Sequence, residues 1–317
     1  MTDLASVRLL LPERARFGGQ RLPESSARWL GRADRSQRSG DWLEGVFDIL
    51  PRGWPVAAAT RQRDAGDAAG AAWLRADPAH IRPDINGARL LAYGDALGLS
   101  TQDAAALLRP LRPLFGDAGF PIEAPVPSRW YVRLPIGAKL PVFTDPHTAL
   151  GADVFEHLPE DAAHATGEGR RWRALLSESQ VLLHNHLLNA QRVEAGRAPV
   201  NSLWFWGAGM LPDHVRSDLT SIHSDDEALQ AFAALAGVHA APLPPAWQPG
   251  RGVRLLDLRA LRDLAQLDAH WLAPLLADFG RGGATLLLLD FADGLRLSLR
   301  PAHRWRFWRP PLRSLQS

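Results

Sequence analysis

Two polar residues follow a predicted strand at residues 72–76 and could take part in chemistry. Asp77 and His80 lie three residues apart. A carboxylate and an imidazole at the end of a strand could bind a ligand or relay a proton. The other interpretation is a turn in which Asp77 bonds to its own backbone and Pro78 fixes the angle.

A second polar stretch surrounds the apolar run at 203–206. Asn201 and Ser202 precede this run, and Gly207 and Gly209 follow it. Glycines after a strand allow backbone N–H groups to approach an anion. The third glycine of the dinucleotide fingerprint is missing, however. A tight turn at the exit of a buried strand is therefore the alternative.

A third stretch lies on a long predicted helix over 169–196. Asn189 and Arg192 are three residues apart, so they can meet on one helix face, where Arg197 could join them. Such a group could hold a carboxylate or a phosphate. A solvated helix end is the plainer interpretation. His184 and His186 are two residues apart and point to opposite sides, which excludes a helical metal pair.

Tryptophan and arginine alternate near the C-terminus. Trp305 and Trp308 lie among Arg304, Arg306 and Arg309. Basic residues mixed with aromatic ones could stack on nucleic-acid bases. We favour a different interpretation, in which a C-terminal strand stacks its arginines on its own tryptophans.

The composition is that of a globular protein. The chain has 317 residues, of which 46% are hydrophobic and 22% charged, and it contains no cysteine. This balance excludes a disordered chain, and the missing cysteines exclude disulfides and thiolate metal sites. No apolar run approaches the roughly 18 residues of a membrane span. The N-terminus does not resemble a secretory signal, so we expect a cytoplasmic protein that makes no membrane contact.

The charge balance argues against nucleic acid as a partner. The net charge is only +2, and the pI of 9.6 reflects a small arginine excess in a chain with one lysine and two tyrosines. A nucleic-acid-binding protein needs its basic residues clustered on one face. Two arginine-rich stretches, 28–38 and 300–313, keep this alternative open.

The first half of the chain predicts an α/β start followed by a different kind of unit. A strand at 7–12, helical spacing over 23–50 and a strand at 55–60 form the start. Strands and one helix then alternate in a pattern typical of an α+β subdomain. Its elements are strands at 72–76, 89–93 and 129–134, a turn at Asn86-Gly87, and a helix that begins at Ser100 with a capping box to Asp103.

The second half returns to α/β character. The long helix and the tryptophan-rich strand are followed by a strand at 253–258, a helix at 259–279 and a strand at 285–289 that turns at Asp293-Gly294. We therefore predict an α/β core at 1–70, an inserted α+β subdomain at 71–165, and the remainder of the core at 166–317.

Several motifs together resemble a known bacterial family. They are Trp73-Leu74-Arg75-Ala76-Asp77-Pro78-Ala79-His80, Ser128-Arg129-Trp130-Tyr131, Leu176-Ser177-Glu178-Ser179-Gln180, Asn189-Ala190-Gln191-Arg192, Val200-Asn201-Ser202-Leu203-Trp204-Phe205-Trp206-Gly207-Ala208-Gly209 and Phe307-Trp308-Arg309. In this order they resemble the family labelled "regulatory protein RpfE" or "2,3-bisphosphoglycerate-independent phosphoglycerate mutase". The resemblance runs from about residue 5 to residue 310.

The mutase label implies an α/β core like that of alkaline phosphatase with an inserted α+β subdomain. It also implies two divalent metal ions and a phosphoserine intermediate. The sequence departs from that catalytic pattern. Leu11-Pro12-Glu13 stands where an Asp-Gly metal ligand is needed, and Ser202 lies at the wrong place in the chain to accept the phosphoryl group.

Metal ligands are also too few near the C-terminus. Two metal ions need roughly six to eight nitrogen or oxygen ligands. The last third of the chain offers Asp257, Asp290, Asp293 and His303 without a paired Asp-His motif. We therefore expect the protein to bind no metal ion and no cofactor. The sequence assigns no catalytic residue and leaves open whether any enzymatic activity remains.

The sequence favours one function and leaves two alternatives. The preferred one is a regulatory protein related to the mutases that acts through a small anionic ligand, such as a phosphate ester or carboxylate, or through a protein partner. The alternatives are an active metal-dependent phosphotransferase and a nucleic-acid-associated module. The predicted ligand site lies where the inserted subdomain meets the core. Its residues are Asp77, His80, Arg129, Asn189, Arg192, Asn201, Ser202, Gly207 and Gly209.

Overall fold

A computed structural model describes residues 5–39, 42–85, 87–161 and 167–316. The chain folds into two compact units. The first unit comprises Met1–Pro51 and Asp213–Ser317, and the second comprises Arg52–Pro212. No helix in the described parts of the chain is both long and apolar enough to cross a lipid bilayer.

The strands of the described residues, in chain order, are β1 Ser6–Leu11, β2 Asp34–Gln37, β3 Asp48–Leu50, β4 Ala72–Asp84, β5 Gly87–Tyr93, β6 Ile122–Val126, β7 Arg129–Leu134, β8 Ser202–Met210, β9 His214–Arg216, β10 Ser221–His223, β11 His239–Ala241, β12 Val253–Asp257, β13 Leu286–Phe291 and β14 Leu295–Leu299. The α-helices are α1 Glu24–Gly31, α2 Val56–Ala65, α3 Thr101–Asp117, α4 Pro146–Ala149, α5 Glu168–His184, α6 Leu187–Glu194, α7 Glu227–Leu235, α8 Leu264–Leu267 and α9 Ala273–Gly280. A π-helical segment at Asp268–Leu272 joins α8 to α9, and 3₁₀ helices include Trp42–Gly45 and Pro301–Trp305.

The first unit is built on a seven-stranded sheet in the order β11-β10-β12-β1-β13-β14-β2. The strands from β11 to β13 are parallel, and β14 and β2 are antiparallel additions at one edge. The central strands are almost entirely apolar, as expected of parallel strands covered on both faces. On one face, alternate side chains of β1, β13 and β14 pack with Leu30, Trp271 and Phe279 into a single core.

The second unit combines an antiparallel sheet with helices. Strand β4 pairs with β5, β7 and β8, and β6 pairs with β7. One face of this sheet packs on α3 and α5 through a core that contains Phe115, Trp172 and Phe205. The other face carries the short, alanine-rich helix α2. A second, small core between α2 and the sheet includes Ala57, Trp73 and Tyr131.

Much of the sequence-based prediction is confirmed. The chain has the predicted α/β class, with an α+β unit between two stretches of the first unit. Predicted strands coincide with β1, β7, β12 and β13, and the hairpin at Asp293-Gly294 connects β13 to β14. The capping box that opens α3 is present in both directions, between Ser100 and Asp103. Asn86 of the predicted turn lies outside the described residues.

The unit boundaries differ from the predicted ones. Residues 52–70 and 166–212 lie in the second unit. The cause is strand pairing, because β8 runs antiparallel to β4 from the pair Ala72 and Met210 to the pair Ala79 and Ser202. This pairing joins segments more than 120 residues apart, and no local pattern in the sequence shows it.

Four local predictions are wrong. The stretch at 55–60 begins helix α2, because a short apolar run fits a buried helix as well as a strand. The helical spacing over 23–50 yields only α1 before two short strands. The long helix is two helices, since the imidazole of His186 accepts a hydrogen bond from the Leu188 N–H and caps α6. The C-terminal arginine–tryptophan stretch forms a 3₁₀ turn and loop instead of a strand, although Arg304 does lie over the Trp305 ring as we expected.

Candidate functional site

Asp77 lies in the middle of strand β4, not at the end of a strand. Its carboxylate is fully buried and accepts two hydrogen bonds from Arg75, at 2.8 and 2.9 Å. The indole N–H of Trp206, on β8, donates to the same carboxylate at 2.7 Å. Residues two apart on a strand share a face, which is why Arg75 and Asp77 meet. The turn that we considered for this stretch is also absent.

A second buried carboxylate continues this charged layer. Asp64, near the end of α2, accepts hydrogen bonds at 2.7 and 2.9 Å from Arg129 and at 2.5 Å from the phenol of Tyr131. Burial raises the pKa of the Tyr131 phenol, so this group stays protonated. The Arg75 guanidinium stacks over the rings of Tyr131 and Trp206. We call Asp64, Arg75, Asp77, Arg129, Tyr131 and Trp206 the α2 charge cluster.

Four of the six cluster residues were not predicted as site residues from the sequence. They are Asp64, Arg75, Tyr131 and Trp206, of which the last three fall within the family motifs. The available signal was the alternation along β4, where Trp73, Arg75 and Asp77 occupy one face. Charged residues on an otherwise buried strand require partners, because an unpaired buried charge is costly.

Gly207 and Gly209 belong to strand β8 and face helix α2. A Cβ on Gly207 would lie 3.0 Å from the Cβ of Val56, and a Cβ on Gly209 would lie 2.6 Å from that of Pro55. Gly207 also has a φ of +66°, which side chains disfavour. These glycines therefore allow α2 to approach the sheet closely. They form neither an anion loop nor an exit turn.

Asn189 and Arg192 are buried and bind backbone groups. The Asn189 amide donates to the carbonyls of Leu183 and Val200, both at 2.7 Å, and accepts from the Val200 N–H at 2.8 Å. Arg192 donates to the carbonyls of Ala198 at 2.9 Å and Leu97 at 2.5 Å. The predicted solvated helix end is absent here, because both side chains close the loop that leads into β8.

The remaining predicted residues extend the pairing of β4 and β8. The Asn201 amide exchanges hydrogen bonds with the N–H and carbonyl of Ile81, at 2.9 and 2.7 Å. The Ser202 hydroxyl accepts from the Gln180 amide at 3.0 Å. Burial lowers the pKa of the neighbouring His80 imidazole, although a hydrogen bond with the backbone of Pro199 acts in the opposite direction.

The nine predicted residues are thus brought together only in part. All lie within the second unit, whereas we predicted them at a junction with the core. Asp77 and Arg129 share the α2 charge cluster, Asn189 and Arg192 hold the loop before β8, and Asn201 and Ser202 extend the sheet. Each of these six side chains forms hydrogen bonds with other groups of the protein.

The first unit places two carboxylates at the carboxyl ends of parallel strands. Asp257 ends β12 and is nearly fully buried. Arg259 donates to both of its oxygens at 2.8 Å, and the Ser224 hydroxyl donates at 2.7 Å. Arg259 also donates to Asp226 at 2.8 Å. Burial alone would raise the pKa of the Asp257 carboxyl, but the hydrogen bonds and charge of Arg259 hold that pKa below its usual value.

Asp290, near the end of β13, is held in the same way. Arg296 donates to its two oxygens at 2.5 and 3.0 Å, and Arg8 on β1 donates to it as well. Burial opposes ionisation of Asp290, and the two guanidinium groups overcome this effect and lower its pKa. Two arginines therefore supply the positive charge beside this carboxylate.

These residues do not fit a centre of two divalent metal ions. Across the described ranges, no three His, Asp or Glu side chains lie together in a group that could hold a metal ion. Divalent metal sites require several unprotonated oxygen or nitrogen ligands around each ion. In this chain the carboxylates at the strand ends are already neutralised by arginine. Asp293, also considered from the sequence, binds Arg14 at 2.6 Å, and His303 lies 3.5 Å from Asp34.

Comparison with curated proteins shows that part of the chain is related to one class of enzyme, the cofactor-independent phosphoglycerate mutases. A probable 2,3-bisphosphoglycerate-independent phosphoglycerate mutase of Geobacter sulfurreducens is 31% identical over 115 residues, which are 36% of this chain and 27% of that protein. The Methanosarcina barkeri enzyme of the same name is 36% identical over 69 residues, or 22% of this chain and 16% of that protein. The matched region therefore spans about a quarter or less of these relatives. No protein-family model matches the chain.

Two solved structures align over most of the chain at low similarity. A cofactor-independent phosphoglycerate mutase from Thermoplasma acidophilum aligns over 95% of this chain and 90% of its own, with 15% identity and a TM-score of 0.39. The PH0037 protein from Pyrococcus horikoshii covers 95% and 88%, with 9% identity and a TM-score of 0.43. The regulatory label of the predicted family stays a prediction.

Proposed function

We propose that this chain is a relative of the cofactor-independent phosphoglycerate mutases that lacks their metal centre and acts in regulation, through an anionic ligand or a protein partner. The partial sequence similarity to these mutases supports the relationship. A mutase-like α/β core is part of this proposal.

The observation that carries the proposal is the pairing of strand-end carboxylates with arginine. Asp257 binds Arg259, and Asp290 binds Arg8 and Arg296. A guanidinium group that binds both oxygens of a carboxylate neutralises its charge and uses two of its roughly four lone-pair positions, so it competes with a metal ion for that ligand. The carboxylates of this region therefore stabilise the sheet through arginine and are poor metal ligands.

The test is a mutase assay of the purified chain with 3-phosphoglycerate in the presence of added Mn²⁺. We expect no turnover above that of a sample without protein. Turnover that depends on Mn²⁺ and disappears with a chelator would overturn the proposal. It would instead establish the second candidate, an active metal-dependent phosphotransferase, which the sequence similarity favours.

A separate titration tests where an anion binds. The guanidinium groups of Arg129 and Arg192 already bind Asp64 and backbone carbonyls, so an anion at these residues must compete with those contacts. We expect no saturable heat when 3-phosphoglycerate is titrated calorimetrically into the protein. That result favours a protein partner. A saturable heat that is lost in Arg129→Lys would instead place the ligand at the α2 charge cluster.

A further inference from the structure

The two arginine-rich stretches of the sequence lie together in the first unit. Strand β2 pairs with β14, and the segment after β14 runs along residues 27–34. Arg306 donates to Asp34 at 2.5 Å and to the Arg32 carbonyl at 3.2 Å. Arg309 donates to the Ala33 carbonyl at 2.8 Å. These contacts fix the C-terminal segment against the edge of the sheet.

Positive charge is strongly concentrated in this region. The stretches 28–38 and 300–313 contain nine arginines and only one acidic residue, Asp34, in a chain whose net charge is +2. The rest of the chain consequently has more acidic than basic residues. Arg300 and Arg304 are exposed and form no salt bridge within the described residues. A nucleic-acid-binding protein needs its basic residues clustered, and the fold brings these arginines together.

Three large aromatic side chains are exposed in the same segment. Trp305, Phe307 and Trp308 are 62%, 76% and 69% exposed. Arg304 lies over the Trp305 ring, 4.9 Å from its centroid, and the rings of Phe307 and Trp308 meet edge to face at 5.6 Å. We call Arg300, Arg304, Trp305, Phe307 and Trp308 the arginine–aromatic patch. Exposed rings beside guanidinium groups without a carboxylate partner mark a binding surface.

We propose that the arginine–aromatic patch binds single-stranded nucleic acid. Exposed aromatic rings provide faces on which unpaired bases stack, and arginines contact the phosphates between those bases. The chemistry is less suited to a lipid surface, because the aromatics lie on a 3₁₀ turn and a proline-flanked loop and not on an amphipathic helix. This inference does not depend on the proposed loss of the metal centre.

The test measures binding of a fluorescein-labelled 15-nucleotide oligothymidylate by fluorescence anisotropy. We expect saturable binding that is weaker for a duplex of the same length and that weakens steeply as salt rises. Replacement of both Trp305 and Trp308 by Ala should weaken binding about tenfold or more, since each stacked base contributes substantially. Replacement of both Arg300 and Arg304 by Ala should reduce the salt dependence.

Two controls distinguish this site from general attraction. The double variant Phe155→Ala, Arg170→Ala removes one exposed aromatic and one exposed arginine from the second unit and should bind as the wild type does. Thermal melting should show that the patch variants fold, because their side chains are exposed. Equal binding by wild type and patch variants would overturn the proposal. So would a protein that binds anionic phosphatidylserine vesicles through the patch and binds no oligonucleotide.

Discussion

Asp77 shows how a residue chosen for chemistry can have a structural role. Its position after an apolar stretch suggested a ligand at a strand end, but the strand continues to Asp84 and buries the carboxylate against Arg75. Residue types indicated correctly that the stretch was unusual. They could not indicate that the partner lay two residues away on the same strand face. Strand length depends on pairing with β5 and β8, which are distant in sequence.

The buried pair of Arg75 and Asp77 makes a clear prediction for stability. Both side chains of this pair are buried from solvent. The substitution Asp77→Asn therefore leaves the buried guanidinium charge of Arg75 without its carboxylate partner. We expect a loss of about 3–5 kcal/mol in the free energy of unfolding, measured by denaturant titration.

A matched substitution supplies the control. Asp84→Asn breaks an exposed pair with Arg89 and should cost no more than about 1 kcal/mol. Similar losses in the two variants would show that the α2 charge cluster is not the desolvated site described above.

At the scale of elements, local sequence signals identified most strands but not the strands and helices that pair with or pack on them. The apolar alternation of β7 and the turn residues of the β13–β14 hairpin are local, so they were predicted correctly. Helix α2 was predicted as a strand because its alanine-rich start has no polar face with helical spacing. Its role became visible only when Gly207 and Gly209 were placed opposite it. Close packing of a helix on a sheet is a property of two segments, and neither alone reveals it.

Helix α5 and strand β8 are expected to stabilise one common core. Leu183 on α5 is fully buried in the core that also contains Leu203 and Phe205 of β8. Leu183→Ala should therefore lower the free energy of unfolding by about 2–5 kcal/mol. Val181→Ala, on the exposed side of the same helix, should change it little. If the two variants melt alike, α5 does not pack on this core.

At the scale of the whole molecule, partly or fully buried histidines predict a dependence of stability on pH. Burial lowers the pKa of His80, His223 and His303, which lie in both units. Below the ordinary histidine pKa of about 6.5, the unfolded chain binds more protons than the folded one. Stability should consequently fall between about pH 7 and pH 5. A further loss is expected below about pH 4, where Asp257 and Asp290 begin to be protonated in the unfolded chain.

Melting temperatures measured from pH 8 to pH 5 test this dependence. His223→Gln should reduce the slope, because the glutamine side chain does not titrate. A melting temperature that stays constant or rises as the pH falls would contradict the lowered pKa of these imidazoles in the folded chain.

Some features that bear on function were visible in the sequence, and others depended on the fold of the whole chain. The resemblance to the mutases identified a relationship that the sequence comparisons support over part of the chain. The departure from the metal-ligand pattern was equally visible in the sequence. The pairing of Asp257 and Asp290 with arginine was not visible in the sequence. Arg8, for example, reaches Asp290 from a strand 282 residues earlier in the chain. The clustering of the arginine-rich ends depended on the fold in the same way.

Metal content tests the central claim most directly. The chain should be produced in medium supplemented with manganese and zinc, purified without chelators, and analysed for metals per mole of protein by mass spectrometry. We predict no stoichiometric manganese, zinc or magnesium, because Arg259, Arg8 and Arg296 occupy the carboxylates at the strand ends. Two tightly bound ions per chain would contradict this account and would restore the assignment of an active, metal-dependent mutase.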